Sequence, residues 1–210
     1  MSQPSPISCT AFRGTQLIAS GDLRLVAFKA QTRAIRSNSP ILIFDDSTGE
    51  IIEIDLRGTH EGLSHRLAEI EVDTTPGGEP ATPDAGARGP GRPRLGVVAR
   101  EVTLLPRHWD WLALQPGGAS VALRKLVEEA RRTSAGKDRL RAAREAAYRF
   151  MSTMAGNEPG FEEATRALFA GDQERFTELV KPWPTDVGNH AKKLAGKVFE
   201  LHVGEIGSRK

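Results

Sequence analysis

The chain has 210 residues, 39% of them apolar, and a formal net charge of +2 at pH 7. That apolar content supplies small cores rather than one large interior, and no apolar run approaches the length of a membrane span. The single cysteine, Cys9, excludes an intrachain disulfide and a cysteine-rich zinc site.

The charge is unevenly spread. Residues 1–87 hold 7 Lys/Arg against 12 Asp/Glu, a net of −5. Residues 88–149 hold 14 against 6, a net of +8, and residues 150–210 hold 8 against 9, a net of −1. A basic block of this kind is the electrostatic footprint of a polyanion site. The opening residues, Met1-Ser2-Gln3-Pro4-Ser5-Pro6, have neither a basic stretch nor an apolar one, so no secretory signal is expected and the expected location is the cytoplasm, on the nucleoid.

In chain order, residues 8–72 read as a small acidic α+β domain. Cys9–Phe12 and Gln16–Ala19 are short strands around a turn at Gly14. A helix capped by Ser20 or Asp22 is expected through Arg36, with Leu23, Val26, Ala27 and Ala30 at helical spacing. Ile41–Phe44 and Ile51–Leu56 bracket Asp45-Asp46-Ser47-Thr48-Gly49, whose Asp and Gly suit a hairpin turn. A short helix follows over Glu61–Ile70. Residues 73–91, rich in Pro, Gly, Ala and Thr with little to bury, form a flexible linker.

Residues 92–135 read as an arm followed by a compact module. Val97–Leu105 is extended, Pro106 suits a first helical turn, Arg107–Gln115 is a short helix, and Pro116-Gly117-Gly118 breaks it. Ser120 then caps a second helix to Arg132, with Leu123, Leu126, Val127 and Ala130 on one face. After a break at Gly136, the region 136–197 is helical over 138–155, 160–170, 172–181 and 185–197, and residues 198–210 form a tail. The fold class expected is α+β.

Strand, proline, short helix, glycine turn and capped helix is the outline of a ribbon-helix-helix module. Two copies would pair strands antiparallel, the ribbon entering a major groove and the N–H groups near Gly118 and Ser120 holding a phosphate. The strand register is less favourable, because whichever face turns outward, Arg100-Val102-Leu104 or Glu101-Thr103-Leu105, it is not the polar, basic row that reads bases. Just upstream, Arg88-Gly89-Pro90-Gly91-Arg92-Pro93-Arg94 looks like an AT-hook, with Pro90 where the full motif has its first arginine. A flat Gly-Arg-Pro lies in the narrow minor groove, where A·T-rich potential draws guanidinium groups. The expected DNA-binding residues are therefore Arg88, Arg92, Pro93, Arg94, Arg100, Thr103, Arg107, Gly118, Ser120, Arg124 and Lys125.

No catalytic constellation is expected. Asp45 and Asp46 are explained by the hairpin turn, and His60 and His65 are five apart and share no helix face. Walker, zinc-protease and nucleophile-elbow patterns are missing, and neither metal nor cofactor is expected. The function expected is a homodimeric binder of double-stranded, A·T-rich DNA, either a transcription regulator or a nucleoid-associated architectural protein. The alternative is a dimeric scaffold whose basic helix binds an acidic protein partner.

Several segments together, Ser20-Gly21-Asp22-Leu23, Phe44-Asp45-Asp46-Ser47-Thr48-Gly49, Gly91-Arg92-Pro93, Leu95-Gly96-Val97-Val98, Arg100 through Leu112, Gln115 through Ser120, Ala146 through Met151 and Ala170-Gly171-Asp172, resemble a bacterial family known only as domain of unknown function 2239. The resemblance covers roughly residues 8–196 and implies no activity.

Overall fold

The structure, a computed structural model, describes residues 7–34, 40–73 and 100–207. It is α+β, as the sequence implies. Strands β1 (Ser8–Arg13), β2 (Gln16–Asp22) and β3 (Ile41–Asp45) form one antiparallel sheet in the order β2-β1-β3. The helices are α1 (Leu23–Ala34), α2 (His60–Asp73), α3 (Pro106–Ala113), α4 (Gly118–Ala155), α5 (Phe161–Ala170), α6 (Gln173–Leu179) and α7 (Thr185–Gly207). Two compact units result, one of residues 1–76 with 135–210 and one of residues 77–134.

In the larger unit the period-2 alternation of the strands sorts the core into two layers. Cys9 and Ala11 of β1 and Ile43 of β3 pack with Leu23, Val26, Ala27 and Ala30 of α1 and with Leu63 and Leu67 of α2. Phe12 and Phe44 belong to the other face and to a cluster with Leu140, Phe150, Met151, Leu168, Phe176, Val187 and Leu194. The regions 8–72 and 136–197, separated in the sequence reading, thus share a hydrophobic core. Phe150 lies at its centre, its ring 5.5 Å from Phe12 and 5.1 Å from Phe44.

The apolar stripe expected of α1 is buried in full, and Asp22 caps it by accepting from Arg24 N at 2.9 Å. The turn after β3 also forms: Asp45 Oδ1 accepts from Ser47 N at 2.6 Å, and Asp45 N donates to Glu50 O at 2.9 Å. Its return arm differs from expectation. Residues 51–56 form no full strand; they meet β3 through a bridge between Phe44 and Ile51 and the bond from Ile52 N to Ile43 O at 2.7 Å. At the opposite edge of the sheet, Leu17 N donates to Asp186 Oδ2 of α7 at 2.9 Å.

Two helix boundaries also need correction. The break expected at Gly136 does not occur, because α4 runs unbroken from Gly118 to Ala155. A lone glycine costs a helix only about 1 kcal/mol relative to alanine, and its neighbours supply the bonds on either side. The tail expected from residue 198 is helical as far as Gly207, since Val198 and Phe199 are buried and Phe199 packs on Phe176 at 5.7 Å. Among the described residues no helix is long and apolar enough to cross a membrane.

Candidate functional site

Of the residues expected to touch DNA, Arg88, Arg92, Pro93 and Arg94 lie outside the described residues, as do Val97–Ala99 of the expected extended stretch and most of the linker. The others belong to the smaller unit. Arg100–Leu105 is in no β-ladder among the described residues, and Leu105 enters α3 with extended backbone, φ −64° and ψ 147°. Pro106 takes the first helical position, where its missing N–H is harmless.

Arg107, Thr103, Arg124 and Lys125 are exposed. Gly117 and Gly118, at φ +85° and +75°, turn the chain into α4. The helix starts at Gly118, so Ser120 sits within the first turn rather than at the cap assigned from sequence. Ser120 O instead accepts from Arg124 Nε at 3.1 Å, and Gly118 N is spent on Gln115 O at 2.9 Å. The basic character of α4 is partly offset on the helix itself, where Arg131 pairs with Glu128 at 3.3 Å and Arg132 with Glu129 at 3.0 Å. Such exposed pairs hold weakly and leave the guanidinium groups available to a stronger anion.

This unit leaves much apolar surface uncovered. Val102, Leu105, Trp109, Trp111, Leu114, Leu126 and Val127 are all exposed, while Leu112 and Ala122 are buried. Trp109 and Trp111 are 42% and 50% exposed within the chain.

The larger unit holds a polar centre that sequence reasoning missed. Asp46, treated above as half of a turn, is 3% exposed. Its Oδ1 accepts from Thr10 Oγ1 at 2.8 Å, and its Oδ2 from Lys193 Nζ at 2.8 Å and Ser8 Oγ at 3.2 Å. Thr10 has one proton and gives it to Asp46, so Ser20 is the donor in the 2.9 Å contact between the two hydroxyls. His190 Nε2 stands 3.5 Å from Asp46 Oδ1 without a hydrogen bond, its ring edge-on to Phe150 at 4.5 Å. Thr10, Leu17, Ser20, Asp186, Asn189, His190 and Lys193 line a cleft of about 200 Å³ above this centre. The only signal in the sequence is the spacing of Asp186, His190, Lys193 and Lys197, which places them in one polar stripe along α7.

Burial, the largest influence on Asp46, pushes its pKa up, but the bonds from Lys193 and Thr10 and the nearby positive charge outweigh it and hold the carboxyl below its ordinary value. For His190, burial lowers the pKa to about 4; Asp46 pulls it up, and Lys193 and Lys197 push it down. An ionised, fully bonded carboxylate beside a paired ammonium is a poor base at neutral pH. The centre is therefore a polar staple joining α7 to the sheet.

Both shifts act in the same direction on stability. His190 is held neutral in the fold but protonates near its ordinary 6.5 once unfolded, so stability is lost as pH falls from 6.5 toward about 4. Asp46 contributes stability above its ordinary 3.8, lost as pH falls through its lower folded value. Urea midpoints at pH 7, 5.5 and 4.5 should decline, with at most about 1.4 kcal/mol per pH unit from His190. His190→Gln should flatten the decline between pH 6.5 and 4.5, and an identical slope in that variant would exclude His190 as its source.

Elsewhere, Cys9 is fully buried, and burial first, with Asp46, Asp22 and Asp45 adding to it, pushes its thiol up to about 12. No group of three or more His, Cys, Asp or Glu side chains that could hold a metal ion occurs among the described residues.

A family model described as "Uncharacterized protein conserved in bacteria (DUF2239)" matches residues 8–195. No curated protein matches the chain, and no solved structure does.

Proposed function

The chain belongs to this bacterial family, DUF2239, and on the physics of its own residues we propose that it is a DNA-binding protein acting as a homodimer, a transcription regulator or a nucleoid-associated architectural protein. The observation that carries this reading is the coincidence, within residues 100–127, of exposed Val102, Leu105, Trp109, Leu126 and Val127 with exposed Arg107, Arg124 and Lys125. Apolar side chains at that density favour a protein neighbour, and the extended stretch of residues 101–105, in no β-ladder among the described residues, favours an identical strand alongside it. That is how a ribbon-helix-helix dimer is built, with its own copy completing the core. The net charge of +8 over residues 88–149 then favours a polyanion for the assembled surface.

In this reading the module grips backbone phosphates while Arg92 and Arg94 of the AT-hook-like arm enter the minor groove. Each neutralised phosphate releases condensed counterions, so log affinity should fall with log salt at a slope of about −0.9 per contact. The minor groove distinguishes A·T from G·C, so the arm should set an A·T preference. Replacing Arg92 and Arg94 together by Ala should flatten that preference more than it lowers overall affinity. Titrations of both proteins on matched A·T-rich and G·C-rich duplexes at several salt concentrations test this. Undetectable binding at about 50 mM salt would exclude a duplex-DNA function and move the basic block to an acidic protein partner. Binding with an unchanged preference in the variant would exclude the arm alone.

A further inference from the structure

Helix α3 carries apolar side chains on two opposite faces. At about 100° per residue, Trp109, Leu112 and Ala113 fall on one side, and Arg107, Trp111 and Leu114 on the other. The first face is anchored within the smaller unit by Leu112, 2% exposed. The second holds Trp111, 50% exposed, and Leu114, whose 83% is the highest exposure of any large apolar side chain among the described residues. Side chains so placed lose nothing by leaving water, and an indole presents a flat surface at little conformational cost.

The surroundings of this face narrow its partner. Arg107 lies about one turn before Trp111 and carries a permanent positive charge. At the other end, Gly118 N donates to Gln115 O at 2.9 Å, so the chain passes from this face directly into the first turn of α4. The N–H groups of that turn at Ala119 and Ser120 have no acceptor within the helix. The face therefore offers a stacking surface flanked by a guanidinium and followed by free backbone donors. A nucleotide with its base unpaired has the matching parts, a flat apolar ring and an anionic phosphate.

Resting on the DNA-binding reading above, we propose that Trp111 stacks on an unpaired base, with Leu114 covering the base edge and Arg107 holding the adjoining phosphate, so that the protein favours DNA that is opened or distorted over fully paired duplex. Trp109 serves the opposite face and takes no part. A second copy is the weaker occupant, because a two-fold contact centred on Trp111 would bring the two Arg107 side chains toward each other.

The test uses the full chain, a short duplex with a central run of unpaired bases, and the same duplex fully paired. Wild type should bind the interrupted duplex more tightly. Trp111→Ala should weaken that binding about tenfold, within the range of base–aromatic stacking, and change binding to the paired duplex little. Trp111→Phe should retain most of the wild-type preference, and Trp109→Ala should retain it if it remains a dimer. Tryptophan fluorescence should be quenched by the interrupted duplex in wild type and not in Trp111→Ala. Equal affinity of wild type and Trp111→Ala for the interrupted duplex would overturn the stacking contact, as would a fall in mass from dimer to monomer caused by Trp111→Ala. Failure of wild type to bind either DNA would instead remove the DNA-binding reading itself, and this contact with it.

Discussion

Phe150→Ala should lower the unfolding free energy by about 4 kcal/mol, within the range measured for large-to-alanine changes in a packed core. Phe150 is fully buried and belongs to an aromatic group with Phe12 of β1, Phe44 of β3 and His190 of α7. These four side chains come from elements far apart in sequence, so the hole left by the ring cannot close without moving either the sheet or α7. Phe150→Leu should cost much less, because it retains most of the volume. Urea unfolding of the three proteins checks the ordering. A loss below about 1 kcal/mol for Phe150→Ala, smaller than a single well-packed methylene or two would give, would mean that helix and sheet do not share a core.

Gly49→Ala should be nearly as damaging, by about 3 kcal/mol, for a different reason. Gly49 closes the turn after β3 at φ +70°, where a Cβ costs roughly 1–2 kcal/mol. The turn also rests on α4, and an added Cβ would fall within van der Waals overlap of the backbone oxygen, carbon and Cα of Ala146. Backbone on both sides cannot step aside as a flexible side chain would. The adjoining contacts of Arg149, to Thr48 O at 3.1 Å and Glu50 at 3.0 Å, would be displaced along with the turn. A melting temperature within a degree or two of wild type would show that the turn does not sit against α4.

These two positions also mark how far the sequence could be read. Asp45 to Gly49 announces a turn through local chemistry, and the turn is present. That Gly49 is also needed for contact with α4 has no local signature, because Ala146 is remote in sequence and looks like any helical alanine. The stripe of Leu23, Val26, Ala27 and Ala30 was legible because periodicity alone locates a buried face. Gly136 misled because glycine weakens a helix without ending it. Asp46 was hidden by a sufficient local explanation, the turn, while its ammonium partner, Lys193, is 147 residues away. In the smaller unit Pro106 and the Gly117-Gly118 turn were readable for the same local reason as Asp45. The exposure of Trp109, Trp111 and Leu114 was not, since an apolar residue in a helical pattern ordinarily implies burial.

The two sheet edges have a consequence for how this protein can associate. An open edge strand offers its unpaired backbone to any other strand, and stacking of that kind has no natural end. Beyond β3 the backbone of Glu50–Ile52 already occupies part of the edge. Beyond β2, Leu17 N is taken by a carboxylate, that of Asp186, which accepts a proton donor but cannot pass a ladder onward. The sheet is thereby discouraged from templating its own growth into fibrils, and loss of the Asp186 carboxylate would leave Leu17 N on the β2 edge open to a further strand.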